Sequence, residues 1–346
     1  MTVAEFYERY TSDCTAGCGN QLLTRLAQPV TKTGRCWFQL SHGGENYSLL
    51  FSNRIDSTYD DGSISRAGDI GGDWCIERMA AGLCSAVGEE PKEWHTVTFE
   101  GKPTKQVSGA EVFTTDAIPL QAKAGDYLCY EITLTGSCYP YHEEIVLTLV
   151  PDKQFPVPLM IGCDRQVQTK IGFIGDSITQ GCGTEPDSYT HWVARIAQGL
   201  PESCSVWDLG IGYARANDAV TNDGWLDRAK QCHLIHVCFG VNDVLRGRKA
   251  EEILRDLQTI VTKLKAAGCR VILLTLPPFD LAGDPLVQWQ QVNAVIRQSL
   301  WKQADGLFDI ARVLGKDAPN AHLCIYGGHP NADGCKAVAE AYLRQM

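Results

Sequence analysis

Five short apolar runs in the second half of the chain constrain the fold more than any other feature of the sequence. They occupy residues 171–174, 206–209, 234–239, 271–276 and 307–310. Each run is apolar on nearly every residue instead of on alternate ones, which indicates a strand buried on both faces. Helical patterns fall between the runs. The sequence therefore predicts a parallel sheet covered by helices on both sides, a three-layer α/β/α domain.

The clearest helical pattern lies between the third and fourth runs. Residues 251–267 keep apolar side chains at helical spacing, and Gly268 follows as a stop signal. A second helix is predicted around Trp192 and Ile196, and a last one around Val338 and Tyr342. These helices supply the layers that the continuously apolar strands require.

The first half of the chain has a different pattern. Short β-rich runs alternate with turn residues at 35–40, 47–52, 95–99, 107–113, 127–135 and 145–150. This spacing is typical of a β-sandwich of the jelly-roll kind, and residues 57–72, rich in Asp, Ser and Gly, are predicted as a long loop. We therefore divide the 346 residues into an N-terminal β-sandwich accessory domain, 1–165, and a C-terminal domain, 166–346.

A serine directly follows the first apolar run. Residues 175–181 read Gly-Asp-Ser-Ile-Thr-Gln-Gly, which places Ser177 on a strand-to-helix turn. The nucleophile elbow of α/β-hydrolases requires glycine two residues after the serine, and Thr179 occupies that position. A lone serine before a helix is more often a cap than a nucleophile, so its meaning depends on what accompanies it.

Three later stretches accompany this serine. Residues 210–212 read Gly-Ile-Gly after the second apolar run, residues 240–243 read Gly-Val-Asn-Asp after the third, and residues 329–331 read His-Pro-Asn. The order serine, glycine, asparagine, histidine resembles the SGNH (GDSL) hydrolases. In the predicted sheet, the first three follow the carboxyl ends of strands, where open α/β sheets place their ligand crevice.

The resemblance implies a role for each of these residues. Ser177 is the nucleophile and His329 the general base, and an oxyanion hole is formed by the backbone N–H groups of Ser177 and Gly212 and the side-chain amide of Asn242. A neutral imidazole can take the serine proton at pH 7, and preorganised donors stabilise the charge that develops on the carbonyl oxygen. Gly210 is the alternative to Gly212. This chemistry calls for no metal and no organic cofactor.

The acid of the usual triad is missing from its family position. Three residues before His329, where the family carries Asp, this chain has Tyr326. Some enzymes that resemble it are thought to work as Ser-His dyads, and our hypothesis is that the backbone carbonyl of Tyr326, or of a neighbour, holds the imidazole. The alternative is a carboxylate from elsewhere, either Asp280 or Asp208.

The two-domain layout is similar to that of bacterial carbohydrate esterases. It implies a short-chain acylesterase, with an acetylated sugar as the first candidate substrate. Candidates for the substrate pocket are Asp176, Tyr213, Arg215 and Tyr326. Asp176 also fits a turn residue that accepts local backbone N–H groups. The alternatives are a lipase-like, thioesterase or acyltransferase activity, and a non-catalytic carbohydrate-binding protein that keeps the scaffold. The oligomeric state stays open.

Composition excludes other classes of protein. The net charge is −10 and no Lys/Arg-rich stretch occurs, which disfavours nucleic acid and anionic membranes as partners. The N-terminal residues lack the features of a secretory signal, so we expect a cytoplasmic protein whose 15 cysteines are free thiols. Cys14 and Cys18 have no partner pair of metal-ligand spacing, and His233 and His236 fall on opposite faces of a strand.

Overall fold

The computed structural model describes residues 1–16, 19–59, 66–143, 146–147 and 154–345. The strand predicted at 145–150 lies mostly outside these ranges, as do Cys18 and positions 60–65 of the predicted loop. The chain divides into two compact units, Met1–Gln168 and Thr169–Met346. Each unit has its own sheets.

The N-terminal unit consists of antiparallel sheets. The two larger sheets have the strand orders β1-β12-β4-β8, with β9 also on β4, and β3-β10-β5-β6, with β7 also on β5; β2 and β11 form a separate pair. The elements are α1 (Val3–Arg9), β1 (Thr11–Ser12), β2 (Asn20–Leu23), β3 (Val30–Gln39), β4 (Gly43–Ser52), β5 (Trp74–Cys84), β6 (His95–Thr96), β7 (Lys105–Val107), β8 (Val112–Thr114), β9 (Ile118–Lys123), β10 (Tyr127–Gly136), β11 (Pro140–Glu143) and β12 (Met160–Cys163).

Aromatic side chains join the two larger sheets. The Trp74 ring on β5 lies 6.3 Å from the Phe113 ring on β8, and the Trp74 indole donates a hydrogen bond to the Asn53 side-chain oxygen at 2.8 Å. All three side chains are buried, as expected where two sheets share one core. The predicted β-sandwich is confirmed.

One strand prediction in this unit was wrong, and one long strand was not predicted. The strand expected at 107–113 is two short strands, β7 and β8, because a turn intervenes in which Gly109 adopts a positive φ of 55°. Strand β5 was missed. It carries Glu77, Ala80 and Gly82, residue types with low β-propensity, and its pairing with β10 outweighs that local preference.

The C-terminal unit alternates strands and helices. Its elements are β13 (Thr169–Gly175), α2 (Ser177–Gln180), α3 (Trp192–Gly199), β14 (Cys204–Gly210), α4 (Ala216–Thr221), α5 (Asp223–Ala229), β15 (Leu234–Cys238), α6 (Val241–Leu245), α7 (Ala250–Ala266), β16 (Arg270–Leu274), α8 (Gly283–Gln298), β17 (Gly306–Phe308), α9 (Ile310–Leu314), β18 (Cys324–Ile325), β19 (His329–Pro330) and α10 (Ala332–Gln345), with 3₁₀ turns at Leu300–Gln303 and Tyr326–Gly328.

The five predicted apolar runs form one parallel sheet. Its strand order is β14-β13-β15-β16-β17, and every neighbouring pair is parallel. Helices α3, α9 and α10 pack a continuous apolar cluster against the sheet. The strand order is that of a flavodoxin-like fold, which confirms the α/β/α prediction. In such sheets a ligand crevice lies where the winding reverses, here beyond the carboxyl ends of β13 and β15.

Two observations concern the described residues as a whole. None of their helices combines the length and the apolar character needed to cross a membrane. Most of their cysteines are buried.

Candidate active site

Ser177 is the first residue of α2, immediately beyond strand β13. The carboxylate of Asp176 caps this short helix by accepting the Ile178 backbone N–H at 2.9 Å, and Gly181, with φ at 106°, ends it. The buried Trp192 indole donates to the Ile178 carbonyl at 2.8 Å. The side chains of Asp176 and Trp192 therefore hold the turn, which places Ser177 just beyond the carboxyl end of β13.

His329 lies on β19 and meets Ser177 across 152 positions of sequence. The Ser177 hydroxyl oxygen is 2.8 Å from Nε2 of His329. This separation is within the range that a general base needs for abstracting a proton. Among the residues singled out from the sequence, Ser177 and His329 therefore form a pair at proton-transfer distance.

The other ring nitrogen of His329 determines the tautomer. Nδ1 lies 2.8 Å from the backbone carbonyl oxygen of Tyr326. A carbonyl can only accept, so Nδ1 carries the proton and Nε2 presents its lone pair to the Ser177 hydroxyl, which donates. Within the described ranges, the partner of Nδ1 is thus this carbonyl, the group that the dyad hypothesis names.

An unusual backbone conformation presents that carbonyl. Tyr326, Gly327 and Gly328 have φ values of 46°, 79° and 145°, three successive residues in a region that favours glycine. The Phe279 ring packs edge-on against the His329 imidazole, with ring centres 5.4 Å apart and planes at 79°. The loop and the ring together fix the orientation of the imidazole.

Burial sets the protonation state of His329. It lowers the pKa of the imidazole below its ordinary value, and the hydrogen bond to the Tyr326 carbonyl opposes this shift. A neutral imidazole therefore prevails at pH 7, as a general base requires.

The two carboxylates named as alternatives lie in other surroundings. Asp208 is buried, accepts the Gly210 N–H at 2.8 Å, and has its other oxygen 3.7 Å from Nε2 of a different histidine, His191. Asp280 is exposed, and its backbone N–H donates to the Gly327 carbonyl. Asp280 thus contributes a backbone bond to the loop that carries His329.

The predicted oxyanion donors lie at the ends of adjacent strands. The Gly210 N–H is engaged by Asp208, and a Cβ at Gly210 would come within 2.7 Å of the Gln180 Cα, so Gly210 serves close packing. Gly212 is buried in the turn that follows. The Asn242 amide nitrogen donates to the Ala214 carbonyl at 3.1 Å. Asn242 thereby ties helix α6 to the turn that contains Gly212.

The predicted pocket residues differ in their surroundings. Tyr213 is 54% exposed with φ at 62°, and Tyr326 is 75% exposed. The Arg215 guanidinium is paired with Asp218, with Nη2 to Oδ1 at 2.7 Å. Asp176 is fully buried, so it does not line an open pocket. The two tyrosines are the candidates that offer surface to a substrate.

Sequence reasoning missed several contributors to the site. Phe279 was not singled out from the sequence, although the two prolines before it, 277–278, were a signal for a rigid segment. Trp192 was predicted only as a helix residue. Asp243 was not singled out as a site residue either: Gly240 is the N-cap of α6, and the Asp243 carboxylate accepts the Ala216 N–H at 3.0 Å.

Another histidine, His236, is buried in the core. The His236 ring stacks on Phe173 with centres 4.3 Å apart, and its Nε2 lies 3.0 Å from the Tyr342 hydroxyl. Burial lowers the pKa of His236 to about 3, so it stays neutral. Among the residues that the structure describes, no group of three His, Cys, Asp or Glu side chains could hold a metal ion.

Residues 173–337 match the GDSL-like lipase/acylhydrolase family. Among solved structures, a catalytic mutant of Axe2, an acetylxylan esterase from Geobacillus stearothermophilus, is 24% identical over 52% of this chain and 94% of its own, with a TM-score of 0.43. A member of the lipolytic G-D-S-L family from Veillonella parvula is 20% identical over 51% of this chain and 96% of its own, with a TM-score of 0.44. No curated protein matches this chain. The family match lies within the C-terminal unit.

Proposed function

We propose that the protein is a serine esterase that removes short acyl groups, chiefly O-acetyl, from a carbohydrate; the match of residues 173–337 to the GDSL-like lipase/acylhydrolase family supports this proposal. The observation that carries the proposal is the hydrogen-bonded series from Ser177 through His329 to the Tyr326 carbonyl, with both distances at 2.8 Å. The substrate is a small acylated molecule.

The first half of the reaction forms an acyl-enzyme. The Ser177 oxygen attacks the ester carbonyl carbon while its proton passes to Nε2 of His329, which becomes an imidazolium. Nδ1 of His329 keeps its proton throughout, in its hydrogen bond to the Tyr326 carbonyl. When the tetrahedral intermediate collapses, the imidazolium returns its proton to the departing alcohol oxygen, and the acyl group stays on Ser177.

The second half repeats these steps with water. Nε2 of His329 takes a proton from a water molecule, whose oxygen attacks the acyl carbon. The ester bond to Ser177 then breaks, the serine recovers its proton from the imidazolium, and the carboxylic acid leaves. In both halves the oxyanion is stabilised by the N–H groups of Ser177 and Gly212 and by the Asn242 amide, each such donor contributing about 3 kcal/mol.

Two considerations favour a sugar as the alcohol. Tyr213 and Tyr326 both have exposed side chains. Tyr213 directly follows Gly212, and the backbone carbonyl of Tyr326 accepts the hydrogen bond from His329. Their aromatic faces suit the C–H faces of a sugar ring. The similarity to two-domain carbohydrate esterases supports the same choice, with the N-terminal β-sandwich as an accessory domain.

A non-catalytic binding protein is the weaker alternative. A binding site has no need for a serine hydroxyl and a neutral imidazole in proton-transfer geometry. Lipase-like, thioesterase and acyltransferase activities would use the same residues, so the choice between them depends on the substrate.

The test is the turnover of p-nitrophenyl acetate, butyrate and octanoate, and of acetylated sugars, at pH 7 to 8 by wild type and Ser177→Ala. We expect serine-dependent hydrolysis that is fastest with acetyl esters. Faster turnover of octanoate would identify a lipase-like enzyme. Identical rates for wild type and Ser177→Ala on every substrate would contradict the esterase.

A further inference from the structure

The two carboxylate oxygens of Asp176 have different partners. Oδ1 accepts the Ile178 N–H at 2.9 Å and caps α2, a local bond of a common kind. Oδ2 faces the side-chain nitrogen of Asn242, which donates to it at 3.4 Å across 66 positions of sequence. Helix capping accounts for the bond to Oδ1, but it does not account for the contact between Oδ2 and Asn242.

The Asn242 amide is therefore held from two sides. One acceptor is Asp176, which adjoins the nucleophile, and the other is the Ala214 carbonyl at 3.1 Å, in the segment that follows Gly212. An amide group has two hydrogens, and these acceptors fix both its position and which of its ends is the nitrogen. The oxyanion hole needs the nitrogen end.

We propose that Asp176 is a positioning residue that orients the Asn242 amide for the oxyanion through Oδ2, in addition to capping the helix that begins with Ser177. This inference rests on the proposed esterase function. The bond to Asp176 is the longer of the two, so its hydrogen can be shared with the developing oxyanion while both acceptors keep the amide in place.

The ionised carboxylate is the form that can perform this role. Both oxygens of Asp176 face N–H donors. A proton on either oxygen would point an O–H group at an N–H group, and the hydrogen bond there would be lost. The titratable groups that face it are Asp243 on α6, Cys182 after α2 and Cys238 at the end of β15. Burial, reinforced by the negative Asp243, raises the pKa of Asp176 to about 7, and the Ile178 N–H opposes the rise.

Asp176→Asn separates the two roles. Asparagine is as good a helix cap as aspartate, and its oxygen can still accept the Ile178 N–H. Its amide nitrogen would then replace Oδ2 and point a donor at the Asn242 nitrogen. A residue that only caps α2 tolerates this change, whereas one that orients Asn242 does not.

The experiment is a double-mutant cycle on p-nitrophenyl acetate hydrolysis. We expect Asp176→Asn to lower kcat by about 10-fold to 100-fold with a smaller change in KM, and Asn242→Ala to lower it by about 100-fold. Because Asp176 acts through Asn242, the double variant should be within about 3-fold of Asn242→Ala alone. Unchanged activity in Asp176→Asn, or losses that multiply in the double variant, would overturn the inference.

The pH profile gives a second readout. Burial raises the pKa of Asp176 to about 7 and lowers the pKa of His329, so Asp176 should set the acid limb of kcat/KM in the wild type, and this limb should move to lower pH in Asp176→Asn. An acid limb that stays in place in Asp176→Asn would contradict the role of Asp176 even if Ser177→Ala is inactive. Hydrolysis that does not depend on Ser177 would instead contradict the esterase itself.

Discussion

The turn that carries Ser177 and the loop that carries His329 are held in place by different means. The serine turn is largely buried, capped by the Asp176 side chain and braced by the Trp192 indole. The histidine loop is more exposed, and its residues 326–328 all have positive φ. Ser177 is thus positioned by side chains, and His329 by the shape of the backbone.

This difference determines how each half of the pair can fail. A change in the serine turn disturbs packing shared with the core of the domain, so its first effect should be on folding. A change in the histidine loop disturbs a carbonyl and one aromatic contact, so its first effect should be on catalysis. The predictions below test that contrast, beginning with the largest expected effect.

Gly327→Ala tests the loop. Gly327 has φ at 79°, and a Cβ there would lie 2.8 Å from the Phe279 ring, which packs on His329. Displacement of that ring shifts the imidazole, and we expect kcat/KM for p-nitrophenyl acetate to fall by about 10-fold to 100-fold.

Gly247→Ala is the matched control. Gly247 has nearly the same φ, 77°, but a Cβ there meets no atom within 4 Å. Both variants should lose about 1 kcal/mol of stability to the positive φ. Only Gly327→Ala should lose activity. Equal activities for the two variants would show that the backbone conformation of this loop does not position His329.

Trp192→Phe tests the serine turn. It removes the indole N–H that the Ile178 carbonyl accepts, in a fully buried place. Leaving that carbonyl unsatisfied should lower the free energy of unfolding by about 1–3 kcal/mol. Thermal unfolding and kcat measured on the same sample should show a lower Tm with only a few-fold change in kcat. A large loss of kcat at unchanged Tm would show that a change in the serine turn affects catalysis before folding, contrary to this expectation.

The sequence predicts the serine half of the site better than the histidine half. Ser177, Asp176 and the strand before them follow from local residue types, because a strand-to-helix turn and an N-cap leave a recognisable pattern. The five buried strands follow from apolar runs for the same reason. What Asp176 does with its second oxygen could not be predicted, since Asn242 meets it only in the folded sheet.

No sequence pattern identifies the hydrogen-bond partner of the His329 imidazole. Every residue has a carbonyl, so Tyr326 could be named only by its place in the family pattern, and its neighbours and Asp280 stayed open. The contact with Phe279 was missed because it joins two loops that the topology brings together. In the N-terminal unit, strand β5 was missed because pairing with its neighbours outweighs its weak local β-propensity.

We expect the backbone carbonyl of Tyr326, and not a carboxylate, to orient the His329 imidazole in catalysis. The test is kcat/KM for p-nitrophenyl acetate in Asp280→Ala, compared with wild type and Ser177→Ala. Asp280 is exposed, and the bond that joins it to the loop, from its backbone N–H to the Gly327 carbonyl, survives the substitution. The rate should stay within about 3-fold of wild type. A loss of about 10⁴-fold, the size expected when a triad carboxylate is removed, would contradict it.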